Sequence, residues 1–201
     1  MKEKPYHHGD LRNQLIEAGI ELLNEEGISG FSLRKVAARC EVSHAAPYSH
    51  FKDVKELISA MSEHVTERFT DKLRASIQGA EDSLQAISSL GKAYIAFFEE
   101  NPAYFPFLYY HSSISIDLEG KQEADDLYPP FAVFKATANQ VFRSMNLKEE
   151  DDTKALLALW SMVHGIASLV TSKGIHYSGD WQDVFTFVTQ MGRNDHEDAR
   201  S

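Results

Sequence analysis

Apolar residues recur at spacings of three and four along most of this chain, the period of a helix buried on one side. Residues 54–77 carry the pattern furthest. Leu57, Ile58, Met61, Val65, Phe69, Leu73 and Ile77 fall on one stripe, leaving Glu63, Glu67, Arg68 and Lys72 to solvent. Leu11, Leu15, Ala18, Ile20, Leu22 and Leu23 predict an earlier helix, capped by Asp10 and ended by Gly27. Beyond residue 80, Leu84, Ile87, Leu90, Tyr94, Phe97 and Phe98 mark another, and Asn101-Pro102 opens a short one through Leu108. Phe131, Phe134, Ala138, Val141, Phe142 and Met145 follow Pro129-Pro130, and Trp181, Val184, Phe185 and Val188 follow a capping Asp180. From His111 to Tyr128 the pattern dissolves into serines and acids, which predicts a loop. No strand-length alternation and no fixed-period repeat interrupts this. The expected fold is all-α with about nine helices. A three-helix unit over residues 1–53 precedes a helical bundle over 54–201, with the 54–77 helix connecting the two.

Two segments depart from simple amphipathy. Residues 155–170 are apolar nearly all round, so that helix needs cover on both sides. One side can pack in its own bundle; the other calls for a second copy of the chain. Leu159, Val163, Ile166 and Val170, with Trp181, Phe185 and Val188, are the candidate contacts of a homodimer. The second segment is residues 31–58. Ser32 caps a short helix with Leu33, Val36 and Ala37 inward, and residues 41–43 form a turn. Ser43 then caps a helix over residues 44–50, with Pro47 in its first turn, where a missing N–H costs least. Asp53 and Glu56 form a capping box for the long helix. Two short helices about a tight turn make a helix-turn-helix, whose second helix enters the DNA major groove.

A net charge of −10 at first opposes a nucleic-acid partner. The acidity is uneven, however: through Arg74 there are 11 Lys/Arg against 12 Asp/Glu, and the rest of the chain holds 9 against 18. Binding to DNA needs a local basic footprint, and Arg34, Lys35, Arg39, Lys52 and Lys55 supply a modest one. The single Cys40 excludes an internal disulfide and fits a reducing cytoplasm. No secretory leader is visible, and the uncharged run 155–170 is short for a membrane span of ~20 residues. Adjacent His7 and His8 lack further ligands, so neither a metal nor a cofactor is expected.

The run V-S-x-A-A-P-Y-x-H-F-x-D-x-x-x-L, from Val42 to Leu57, resembles the DNA-binding domain of TetR-family transcriptional regulators. Tyr6 to Arg12 and Phe31 to Arg34 match that family's opening segment. Trp160, Val163, His164 and Gly165 resemble the W-x-x-V-H-G signature of one C-terminal subgroup. The resemblance implies a homodimeric regulator that binds operator DNA; the chain is expected to respond to a small-molecule effector and to have no enzymatic activity. It also implies a dimer interface built from the last two helices.

By reach, His44, Ala45, Tyr48 and Ser49 meet base edges or the groove wall, with Ser43 at the helix start. Ser32, Arg34, Tyr48, His50, Lys52 and Lys55 are placed as phosphate anchors. In the bundle, aromatic crowding predicts a cavity lined by Tyr94, Phe97, Phe105, Leu108, Tyr109, Phe131, Phe134, Trp160 and His164. The expected effector is apolar or aromatic. An all-helical binding protein or enzyme with a decayed DNA module is the alternative. It meets the objection that no spacing gives a nucleophile–base pair or paired carboxylates.

Overall fold

The computed structural model describes residues 8–119 and 127–198, without the side chains of 8–10, 149 and 190–198. Residues 1–7, most of a stretch expected from sequence to be an arm over 1–9, and residues 120–126 of the expected 111–128 loop lie outside the described residues. All regular structure among those described is helical: α1 (His8–Gly30), α2 (Leu33–Arg39), a 3-10 turn (Ala46–Ser49), α3 (Val54–Ser76) and α4 (Ser83–Glu100). Then come α5 (Tyr104–Pro106), running into a π turn (Phe107–His111), α6 (Pro129–Ser144), α7 (Glu149–Val170) and α8 (Trp181–Asp198).

The chain forms two compact units. The first runs through Glu67 and adds Pro106–Ile114; the second takes Arg68–Phe105 and the chain from Ser115 onward. The first unit therefore extends past residue 53 and includes the N-terminal part of α3. Leu15, Ile16, Ile20 and Leu23 of α1 are fully buried, with Val36 and Ala37 of α2 and Leu57, Met61 and Val65 of α3. His64 donates through Nε2 to Glu17 Oε1 at 2.8 Å, joining α3 to α1. The π turn also packs on α1. Its wider coil is visible in the Ser112 N–H, which reaches the Phe107 carbonyl five residues back at 2.9 Å. Gly27 has φ 67° and ψ 176°, a conformation nearly confined to glycine, so the chain turns there before the last three residues of α1.

In the second unit α4 is central, packing on α6, α7 and α8. Gly91 permits the last of these contacts: a Cβ there would lie 2.2 Å from the Phe185 ring. Asp82 caps α4 by accepting from the Gln85 N–H at 2.7 Å, and Asp180 accepts from the Gln182 N–H at 2.7 Å at the start of α8. Asn101 behaves differently from its expected role of opening the next helix. Its side chain turns back and donates to the Phe97 carbonyl at 2.8 Å, closing α4 instead. The following helix is correspondingly brief, and residues 107–111 pass into the π turn.

By length and composition alone, Glu150–Val170 could cross a membrane, with mean hydropathy 1.4. Five of its apolar residues, Leu156, Trp160, Val163, Ile166 and Ala167, are buried against the chain's own helices, while Leu157, Leu159, Met162 and Val170 are half-buried and Leu169 is exposed.

Candidate nucleic-acid interface

Ser32 is extended, with φ −158°, and its hydroxyl accepts from the Lys35 N–H at 3.3 Å, which starts α2. Leu33, Val36 and Ala37 bury one face of α2. After the turn, Ser43 does not cap through its side chain; its carbonyl accepts the Ala46 N–H at 2.9 Å. The second helix is shorter than the expected 44–50, a single 3-10 turn with Pro47 near its start. Pro47 has no N–H and is buried, so it locks the turn inward without spending a donor. Phe51, 2% exposed, anchors the far side, with the Arg12 guanidinium 5.5 Å from its ring centre.

That arrangement leaves Ser43, His44, Ala45, Tyr48 and Ser49 exposed together on one short segment, Tyr48 at 59%. The Ser49 hydroxyl donates to the Ala46 carbonyl at 2.7 Å, which leaves its lone pairs free to accept. His50 is half-buried, its ring tilted against Phe51, between an anchor and a packing residue. Arg34, Lys52 and Lys55 are exposed around the segment. The Lys52 N–H donates to Glu56 Oε2 at 2.5 Å and the Glu56 N–H to Asp53 Oδ1 at 2.9 Å, which fixes the chain entering α3.

The other two cations of the expected footprint are spoken for. Lys35 pairs with Glu26, while Arg39 bonds Glu25 at 2.6 and 2.8 Å and Glu21 at 2.9 Å. Those glutamates push the Arg39 guanidinium further up from an already high value, so it stays cationic. Both cations bolt α2 to α1. Cys40 is half-buried, with Sγ 3.5 Å from the Gln14 carbonyl, and burial pushes its thiol up, away from reactivity.

The residues expected around a ligand separate into two sets. Leu108 and Tyr109 belong to the π turn of the first unit. Tyr94, Phe97, Phe105, Phe131, Phe134, Trp160 and His164 meet in the second unit. There the rings pack edge to face: Trp160 lies 5.4 Å from Tyr94, 5.0 Å from Phe131 and 5.2 Å from Phe134, between centroids. Half-buried His164 shares a 3.1 Å hydrogen bond with the Tyr94 hydroxyl and faces Phe105 at 4.9 Å. Burial pushes its imidazole below the ordinary value, favouring the neutral ring. A groove of about 200 Å³ lies elsewhere, lined by Glu119, Lys135, Asn139, Asp152, Thr153 and Leu156. It is polar and shares none of the expected ligand residues.

The expected dimer residues also divide. Val163, Ile166 and Phe185 point into the chain's own core, and Leu159, Val170 and Trp181 are half-buried, so only Val188 is exposed. The open face of α7 is instead Ala158, Ser161, Gly165 and Leu169, and α8 adds Phe187, 64% exposed. Apolarity all round α7 hid which side was inward. The spacing of small residues at 158, 161 and 165 was the available signal.

A helix-turn-helix with an exposed polar segment and a basic rim, followed by an all-helical second unit, defines a DNA-binding transcription regulator. The family model for bacterial regulatory proteins of the tetR family matches residues 15–61, and the tetracyclin repressor-like C-terminal domain matches 87–191. The chain belongs to the TetR family. It is similar to the nucleoid occlusion factor SlmA of Vibrio cholerae, 25% identical over 139 residues, 69% of each chain. The class A tetracycline repressor protein from transposon 1721 of Escherichia coli is 41% identical over 51 residues, 25% of this chain and 24% of that one. Among solved structures, a protein of unknown function from Rhodococcus sp. RHA1 superimposes with TM-score 0.70 at 25% identity, covering 94% of this chain and 96% of that one. A tetR-family regulatory protein from Rhodococcus RHA1 gives 0.69 at 18%, covering 90% and 93%.

Proposed function

We propose that this protein is a repressor that binds a near-palindromic operator as a homodimer and is released by an apolar or aromatic small molecule. The observation that carries the DNA half is the exposed His44, Ala45 and Tyr48 segment within a rim of Arg34, Lys52 and Lys55. One such segment spans too few base pairs to select a site, so two copies related by a two-fold axis are needed. Selecting bound fragments of the source genome with purified protein, then repeating with a metabolite panel, tests both halves. Fragments without a common inverted repeat would refute the operator reading. Binding indifferent to every metabolite would remove the effector.

Lys52→Ala is expected to weaken binding to all duplexes alike and to flatten the slope of log K against log salt by roughly one unit. His44→Ala is expected to cost about 1–3 kcal/mol at one base position and to relax preference there. Titrations on operator variants over a salt series separate the two. Salt-independent binding would sink the phosphate assignments.

Self-association is assigned to the open face of α7 and α8. Small Ala158, Ser161 and Gly165 allow close backbone approach, and Leu169, Phe187 and Val188 are apolar surface that a partner would cover. Phe187→Glu is expected to give a folded monomer in sedimentation at micromolar concentration, with operator affinity falling at least tenfold. A dimer unchanged by that substitution would move the interface off this face.

The effector is assigned to the rings around Trp160, with the Tyr94–His164 pair as the polar handle that orients it. Opening these packed rings takes binding energy. A ligand preferring the opened arrangement by ~1.4–2.8 kcal/mol would weaken the operator tenfold to hundredfold. Reciprocity then requires operator DNA to weaken the ligand equally.

A further inference from the structure

Two helices of this chain end in the same backbone motif, and only one uses a residue suited to it. After α6, Asn146 has φ 53°; its N–H donates to the Arg143 carbonyl at 3.1 Å, and Leu147 donates to Phe142 at 2.9 Å. After α2, Glu41 has φ 56°; its N–H donates to the Ala38 carbonyl at 3.1 Å, and Val42 donates to Ala37 at 3.0 Å. This double closure puts one residue in the left-handed region, a place for glycine and, next to it, asparagine. Glutamate has neither glycine's freedom nor asparagine's short amide, so the backbone conformation does not explain its presence. Its carboxylate is exposed and makes no ion pair or side-chain hydrogen bond among the described residues. Nearby Arg39 is held by Glu21 and Glu25. Glu41 stands two residues before Ser43 and three before His44, on the turn that leads into the exposed segment.

We infer that Glu41 is a fixed counter-charge in the DNA-facing turn that holds down affinity for duplex DNA whatever its sequence. The inference rests on the DNA-binding reading above. Glu41 is exposed and lies two residues before Ser43, so its charge sits well within a Debye length of ~10 Å from a duplex seated on the exposed segment. Among the described residues Arg34, Lys52 and Lys55 form the basic rim, so one opposing charge offsets a good share of their attraction. Binding to non-operator DNA is essentially electrostatic, so the counter-charge lowers it throughout.

The test uses the full chain and a fluorescent duplex of arbitrary sequence, with wild type, Glu41→Gln and Glu41→Gly compared over a salt series and by thermal melting. Both variants are expected to bind roughly threefold to tenfold more tightly at low salt, the gap closing near 1 M as screening shortens. The melting temperature should rise for Glu41→Gly and not for Glu41→Gln, because only glycine relieves the backbone. Unchanged or weaker binding by Glu41→Gln in a wild type that does bind would overturn the inference alone. Weakening on some duplexes and not others would make Glu41 a base contact instead. A gain confined to Glu41→Gly would assign the effect to the backbone and reject the counter-charge. Failure of wild type to bind any duplex at low salt would overturn this inference together with the DNA-binding reading.

Discussion

Gly91→Ala is expected to unseat the last helix of the second unit. The new methyl carbon would sit 2.2, 2.5 and 2.8 Å from three carbons of the Phe185 ring, and that ring is 2% exposed with no free direction to retreat. Overpacking of a well-filled core costs about 1–3 kcal/mol, and an aromatic ring facing a backbone-mounted methyl belongs at the upper end. Because α8 carries Phe187 and Val188, the proposed partner face is displaced at the same time. Thermal melting and sedimentation should therefore fall together, which Phe187→Glu would not produce. Pairing Gly91→Ala with Phe185→Leu should recover part of the loss, a non-additive result diagnostic of direct contact. A melting temperature unchanged by Gly91→Ala would mean that α8 yields at little cost.

The second large effect lies in the first unit, at two adjacent residues with opposite consequences. Phe51→Ala should cost about 3–5 kcal/mol, since it empties a fully packed aromatic site that holds the 3-10 turn and faces Arg12. Lys52→Ala, at an exposed position, should stay within ~0.5 kcal/mol of wild type in stability. Denaturant unfolding followed by hydrogen exchange separates them: lost protection in residues 33–51 for the first, unchanged protection for the second. Equal stabilities would remove Phe51 from its place as the anchor of the DNA-facing segment.

The helix-turn-helix was legible because its determinants are local. Ser32, Pro47 and the Asp53–Glu56 box act within a few residues of themselves, so spacing alone places them. Its second helix is shorter than expected, a 3-10 turn over Ala46–Ser49 without a side-chain cap, a difference of one turn that residue spacing does not resolve. Asn101 shows the same ambiguity: an asparagine before proline can close one helix or open another, and here it closes. Pairings at long separation were illegible. Arg39 meets Glu25 and Glu21 14 and 18 residues away, so a basic tally counted it for DNA while the fold spends it on α1. On α7 the missing information was direction. With apolar residues on every side, only packing against α4, α6 and α8 decided that Val163 and Ile166 turn inward while Gly165 and Leu169 do not.

The π turn carries a lesson for dissecting this molecule. Phe107 and Leu108, both fully buried, belong to the first unit although some forty residues of chain separate them from its N-terminal stretch. The DNA-binding half is therefore sewn from two lengths of chain. A fragment cut at residue 53 or 67 would bare the flank of α1 on which those side chains rest. Anyone transplanting this DNA specificity onto another regulator must move residues 106–114 along with the helix-turn-helix, or choose a host whose own segment fits the same flank.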